Sequence, residues 1–519
     1  MKKEKLSLVI LLMFVLFNTD VFAQGSIIVT GNSRMNISSG TTVVIPGNLT
    51  INSSSIVSLS GNLTISGNLV NASSSGFVIT SDATCTGSLI VNGAAGDAST
   101  QRYLAEATWD DWEDGWHFVS SPVADYPIQG NFTVDPAANY DFYAWSEANN
   151  LWINFKTGNN PSFLSVNGSN NFKLGSGYMA AYEATSIKSF DGEINVGDVE
   201  ITGLTITGSK DTYYSWHLLG NPFTSALTWD ATDDWGITNI AGTAQIWNEE
   251  GKSYSQITAG NVIPATNGFM VQANGGTGSL TIPKSKRVHS TQAFYKSSNF
   301  PFIKLKAHNL DKPSFQESQI LFNPESTPGY EMEFDCDFLT GYAPRFYSYC
   351  YERNLCVNSL PEYNESLKIP FVFIKNEGLN FSIEMYEATN IDFDVWLLDK
   401  KANTEQNLSQ NPTYIFTSFE NDDIERFEIS FNNTVGIDET IKEFSNIQIW
   451  SSKKTINILN PEHKKGIIRI LNMYGQKLIE AKLNGNNKQQ ILINVSAGNY
   501  IVNLISNKGL ISKKVFIGN

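Results

Sequence analysis

The stretch Gly47-Asn48-Leu49-Thr50-Ile51-Asn52, followed by Gly61-Asn62-Leu63-Thr64-Ile65-Ser66-Gly67-Asn68-Leu69-Val70, decides the fold of the N-terminal part of the chain. Leu, Ile and Val alternate with Ser, Thr and Asn over runs too short for a helix, and each run is closed by Gly and Asn. Gly87-Ser88-Leu89 continues the pattern. Short strands of this kind bury a narrow file of aliphatic side chains only by stacking on copies of themselves. A β-solenoid-like region, or a meander of similar composition, is expected over residues 24–100. Arg34, Asp82 and Asp97 are the only charged side chains between positions 25 and 97, as expected where Ser, Thr and Asn supply the polar surface.

Downstream, the chain repeats itself on a larger scale. Trp116-His117-Phe118-Val119-Ser120-Ser121-Pro122-Val123 is echoed by Trp216-His217-Leu218-Leu219-Gly220-Asn221-Pro222-Phe223. Tyr143-Ala144-Trp145 then corresponds to Gln245-Ile246-Trp247, and Gly177-Tyr178-Met179 to Gly268-Phe269-Met270. Order and spacing predict two related β units within residues 101–297. Nine of the 11 Trp lie between Trp109 and Trp247. Trp116, Trp145, Trp216 and Trp247 recur in both copies and read as duplicated core, because aromatics bury the most area per residue. Trp109, Trp112, Trp229 and Trp235 stand in acidic, loop-like stretches and are the candidates for exposed ligand contact, since a flat ring stacks on a sugar face.

Between positions 298 and 433, strand signals such as Ile369-Pro370-Phe371-Val372-Phe373 and Phe427-Glu428-Ile429-Ser430-Phe431 alternate with turn clusters. They predict a β-sandwich. Residues 434–440, with Gly436, read as a linker. The last module, 441–519, is a small Ig-like β-sandwich of about six short strands. From Ile441 onward it carries 11 Lys and one Arg against three Glu, a net +9, so the remainder of the −15 chain is −24. A basic module on an acidic body reads as a separate unit, and an acidic body argues against nucleic-acid binding.

Residues 1–23 have the form of a signal peptide: Lys2, Lys3 and Lys5, an apolar run from Leu6 to Phe17, then Val21-Phe22-Ala23. No Cys follows to carry a lipid anchor. No later apolar run is long enough to span a bilayer, so no transmembrane segment is expected in the mature chain. Four cysteines remain after cleavage, Cys85, Cys336, Cys350 and Cys356. Cys350 with Cys356 would close a short loop, but a full pairing is not implied. With five His and no repeated Cys or His spacing, neither a metal nor a cofactor is implied.

The order Ile468-Arg469-Ile470-Leu471-Asn472-Met473-Tyr474-Gly475-Gln476, then Val495-Ser496-Ala497-Gly498-Asn499-Tyr500-Ile501-Val502, then Lys513-Lys514-Val515-Phe516-Ile517 resembles the type A C-terminal sorting domain of the type IX secretion system. The resemblance covers roughly 75 residues. It implies a Bacteroidetes-type cargo that crosses the inner membrane by its signal peptide and the outer membrane by recognition of this domain. The type IX secretion machinery would be its partner, and release or surface attachment its fate. Gly475, Gln476, Gly498, Tyr500, Lys513 and Lys514 are the motif residues, and Gly475 and Gly498 read as turn positions requiring positive φ.

No Gly-x-Ser-x-Gly elbow, phosphate loop, zinc-protease motif or calcium loop is present. His117 and His217, copied with their units, read as structural hydrogen-bonding residues. The sequence thus points to an all-β, exported, non-catalytic protein of the cell surface or medium, acting in adhesion or glycan contact. A secreted polysaccharide-degrading enzyme is the alternative, because a carboxylate pair is set by the fold and not by spacing. A structural surface-layer component is the third reading.

Overall fold

The computed structural model describes residues 21–22, 25–108, 115–133, 139–156, 160–207, 215–231, 234–290, 300–350, 353–364, 366–433, 447–472, 476–506 and 509–518. The expected signal peptide, residues 1–23, lies outside these apart from Val21–Phe22, and the expected linker, 434–440, lies outside them entirely. The chain divides into two compact units, Met1–Ile391 with Val395–Phe431, and Asp392–Asp394 with Asn432–Asn519. The fold is all-β, with one short α-helix among the described residues, Pro161–Asn167.

The Gly-Asn-Leu stretches form a β-solenoid with three parallel faces. On one face Ile27 pairs with Leu49 and Leu49 with Leu69, steps of 22 and 20 residues. A second face stacks Arg34–Ile37, Ile56–Leu59 and Phe77–Ile79, and a third stacks Thr42–Ile45, Asn62–Ile65 and Ser88–Val91. Inward Ile45, Leu49, Val57, Leu63, Ile65 and Phe77 are fully buried, so the alternation becomes the core file.

The Gly-Asn pair has a physical cause at one corner. Asn68 N–H donates to Asn48 Oδ1 at 2.8 Å, and Ala94 N–H donates to Asn68 Oδ1 at 2.8 Å. Gly67 N–H donates to Gly47 O at 3.0 Å. A Cβ on Gly67 would fall 2.7 Å from that carbonyl oxygen. Asn ladders the coils, and Gly lets successive corners approach.

The second face runs on, without a break, into the duplicated region: Asp97–Leu104 pairs in parallel with Phe77–Ile79 and antiparallel with Ser186–Glu193. Each copy then builds a four-stranded antiparallel sheet of the same topology. In the first, the spatial order is His117–Val119, Tyr178–Tyr182, Tyr140–Ser146, Leu151–Asn154. In the second it is Trp216–Gly220, Gly268–Ala273, Ile240–Asn248, Ser253–Ile257. Registers match as well, with Trp145 opposite Trp152 and Trp247 opposite Tyr254.

The solenoid is fastened to the second copy by a few polar contacts. Leu89 N–H donates to Thr224 O at 3.0 Å, and Arg287 Nη1 donates to Val91 O at 2.9 Å. His289 sits between Thr64 Oγ1 and Ser88 Oγ, 2.8 Å from each by its two ring nitrogens. Burial pushes its imidazole down to about 4. An unfolded His with an ordinary value near 6.5 therefore takes up a proton before the folded one does. Stability from this site is complete above about pH 6.5 and is lost as pH falls to about 4, by on the order of 3 kcal/mol. Denaturant midpoints measured at pH 7 and pH 4 should differ by more in the wild type than in His289→Gln, which keeps hydrogen-bonding groups but does not titrate.

Strands from Phe302–Asn309 to Phe427–Asn433 pair into a single eleven-stranded sheet. Its two end strands, Thr404–Asn407 and Thr413–Thr417, are neighbours in sequence, and Gln406 Nε2 donates to Thr413 O at 2.9 Å. The sheet thus folds over on itself as a sandwich. Phe373 from one half meets Phe381 and Phe416 from the other at 5.1 and 4.9 Å between ring centroids.

The second unit, taken alone, is a seven-stranded β-sandwich. Gln448–Ser452, Thr455–Leu459 and Lys488–Leu492 form one sheet. Lys477–Asn484, Lys465–Leu471, Gly498–Ser506 and Gly509–Ile517 form the other. Ile456, Ile458, Ile468, Ile470, Val502 and Leu504 fill its core.

Candidate functional site

Two of the four expected ligand-contact tryptophans are core residues. Trp229 and Trp235 are fully buried, 4.8 Å apart between ring centroids, with Phe269 packed on both. Their indole N–H groups donate inward, to Gly242 O at 2.9 Å and Thr228 O at 3.1 Å. Acidic neighbours made the segment read as an exposed loop. Instead the loop folds its rings under the second sheet, because a Trp whose N–H reaches a carbonyl can be buried whole. Trp109 and Trp112 lie outside the described residues. Of the repeated tryptophans, Trp145 and Trp216 are buried, and Trp116 and Trp247 are half-buried.

The two copies meet across an approximate two-fold relation that the linear sequence hides. Ser120 N–H donates to Thr266 O at 2.9 Å, and the equivalent Gly220 N–H donates to Gly175 O at 2.9 Å. His117 Nε2 lies 3.0 Å from Ala105 O, and His217 Nε2 lies 2.8 Å from Thr205 O, each carbonyl twelve residues upstream. The acid two positions after the repeated Trp of each copy serves the His of the other. Glu249 Oε1 is 2.7 Å from His117 Nδ1, and Glu147 acts electrostatically on His217. Burial alone would raise the Glu147 carboxyl, but bonds from Thr207 and Thr205 and the nearby His217 outweigh it and hold it below the ordinary carboxylate range. Burial lowers the His217 imidazole, with Thr205 O and Glu147 opposing. Both nitrogens of His117 lie close to acceptors of the protein itself, and through Glu249 this seam joins the two copies.

The second copy is joined in turn to the eleven-stranded sheet. Gln245 Nε2 donates to Asp337 O at 2.6 Å, and Gln272 Nε2 donates to Asp337 Oδ2 at 2.9 Å. Ser255 Oγ donates to Glu317 Oε2 at 2.6 Å. Trp216, Leu218, Tyr254 and Met270 share one core cluster with Cys336, Leu339, Tyr347 and Cys356.

A shallow depression of about 460 Å³ lies on the solenoid, between two stacked turns. Asn52, Ser53 and Ser55 line it from one coil and Asn71, Ser73 and Ser75 from the next. Asn71 Nδ2 donates to Ser73 O and Asp97 O, both at 2.7 Å, which fixes the lower turn. Ser73 Oγ and Ser75 Oγ are 2.8 Å apart. Ser55 is 2% exposed, and its Oγ has no hydrogen-bond partner among the described residues. The lining mixes these hydroxyls and amides with Ile51, Ile56 and Ala72 and carries no charged side chain, a surface compatible with an uncharged polyhydroxylated ligand. The signal for this groove was present in the sequence: Ser53-Ser54-Ser55 and Ser73-Ser74-Ser75 recur twenty residues apart, one solenoid coil.

In the second unit, Gln476 N–H donates to Asn472 Oδ1 at 2.9 Å. Tyr500 is buried and its OH donates to Ser496 O at 2.7 Å. Gly498 departs from the turn role expected of it. It opens a strand opposite Ile517 and is not among the glycines of positive φ. Gly475 lies outside the described residues. Lys513 and Lys514 are exposed on the last strand, opposite Val502 and Ile501.

Among the described residues no group of three His, Cys, Asp or Glu could hold a metal ion, and no helix is long and apolar enough to cross a membrane. A family model described as a domain of unknown function (DUF8693) matches residues 244–431. The matched span holds both sides of the junction between the second copy and the eleven-stranded sheet. No curated protein matches the chain.

Proposed function

We propose that the chain is a non-catalytic protein exported by the type IX route to the cell surface or medium, where its solenoid contacts neutral glycans. The observation that carries the export reading is the basic C-terminal module. It makes a compact unit with its own core, and its residue order resembles that of the sorting family. A separately folded terminal domain is what a machinery recognising folded cargo would need to grip. Glycan contact is supported by the uncharged depression between Ser53 and Ser73, where serine and asparagine groups stand beside aliphatic side chains, and by a solenoid surface nearly free of charge.

Removing residues 441–519 is expected to leave the protein in the periplasm. Arrival of that truncated chain at the surface or in the medium would refute the sorting assignment. For the groove, the intact protein on an array of neutral glycans is expected to retain ligand that Ser53→Lys with Ser73→Lys loses, at an unchanged unfolding midpoint. Equal retention by the two proteins would remove the groove from the reading.

A further inference from the structure

We propose that Cys336 and Cys356 form a disulfide that staples the Cys336–Asp337 strand to its neighbour Arg353–Leu360. Both cysteines are fully buried. Cys336 pairs with Val357 and Asp337 with Leu355, an irregular register that leaves Cys356 opposite the peptide between Cys336 and Asp337. The two sulfurs converge on one atom: Cys336 Sγ is 3.7 Å and Cys356 Sγ 3.5 Å from Asp337 O. Cys356 Sγ is also 3.6 Å from Cys336 O, and the two thiols act on each other electrostatically. Cys350, nearest to Cys356 in sequence, donates its thiol instead to Pro328 O at 3.4 Å. Cys85 is on the solenoid, where its thiol and N–H both meet Asp82. The sheet therefore selects one pair out of four cysteines.

Burial and the neighbouring Cys336 push the Cys356 thiol well above its ordinary value, so the closed fold offers little thiolate. Oxidation accordingly belongs to folding, before the strands close. An external disulfide such as oxidised glutathione, or a thiol oxidoreductase in its disulfide form, is the oxidant. One cysteine thiolate attacks it and expels one thiolate of the reagent. The second cysteine thiolate attacks the mixed disulfide, forms the S–S bond and expels the other. Two protein thiols lose two protons and two electrons, and the reagent leaves as two thiols. The bond would close a loop of about 20 residues, enough to restrict the unfolded chain appreciably.

The test is to refold the full chain in a mixture of oxidised and reduced glutathione, alkylate it under denaturing conditions without reductant, and map the peptides. The expected result is a linked pair of peptides carrying Cys336 and Cys356, with Cys85 and Cys350 alkylated. Reductant should lower the denaturation midpoint of the wild type and leave that of C336A/C356A unmoved. Separate alkylation of Cys336 and Cys356, linkage of either to Cys85 or Cys350, or a wild-type midpoint indifferent to reductant would each overturn the proposal.

Discussion

Arg426→Ala is expected to destabilise the eleven-stranded sandwich by about 3–5 kcal/mol, because it strands a buried charge. Arg426 Nη2 donates to Asp399 Oδ2 at 2.5 Å and Nε to Asp399 Oδ1 at 2.8 Å, a bidentate fork. Their side chains are 5% and 0% exposed. Arg426 Nη1 donates further to Thr417 O at 2.7 Å, and Asp399 also accepts from Tyr414 Oη at 2.8 Å and from the N–H groups of Lys401 and Ala402. One pair thus ties the strands Phe393–Asp399 and Thr413–Thr417 to the residue that leads into Phe427–Asn433. Hydrogen exchange at the strands around Asp399 and Phe427, followed against denaturant, reads the loss locally. Arg426→Met combined with Asp399→Leu should cost less than either single change, since no unpaired charge remains. A single Arg426→Ala without measurable effect would mean that the pair is solvated.

The same pair sets an acid limit. Burial would raise the Asp399 carboxyl, but the Arg426 bond, the Ala402 N–H and Tyr414 outweigh it, and the group lies below its ordinary value. Its contribution is complete above the unfolded carboxylate value of about 3.9 and disappears as pH falls through the depressed folded value. The sandwich should therefore lose stability below about pH 4, and Asp399→Asn should flatten that slope while lowering the plateau.

What could be read from the sequence divides along a physical line. The solenoid was legible because each coil repeats its own local reason, an Asn that ladders and a Gly that permits approach, within about twenty residues. The duplication was legible because Trp116-His117 and Trp216-His217 repeat at the start of equivalent strands, His117–Val119 and Trp216–Gly220. Contacts joining elements far apart in the chain were not legible. Nothing local in Glu249 announces His117, 132 positions earlier, and nothing in Gln406 announces that the sheet closes beside it. Cys356 likewise meets Cys336 and not the nearer Cys350, because strand pairing, not loop length, sets the neighbour. The groove fell between these cases: its serines carry the coil period, but in the sequence they read only as polar surface.

Trp229→Ala and Trp235→Ala are each expected to cost about 3–5 kcal/mol, the range for emptying a large aromatic site in a core. The two rings touch, so the double variant should cost less than the sum. Trp229→Phe separates packing from polarity. It keeps a ring against Trp235 and Phe269 but leaves Gly242 O without the indole donor, at a further cost of about 1–3 kcal/mol. Thermal or denaturant midpoints of the full chain measure all four variants. The glycan array discriminates this core role from the ligand role that acidic surroundings suggested. A surface platform would lose binding at an unchanged midpoint, whereas a buried pair lowers the midpoint first and affects retention only as the fold fails. Loss of glycan retention by a Trp235→Ala protein that unfolds like the wild type would return these rings to the surface. The burial of both indoles and their inward N–H bonds predict the opposite.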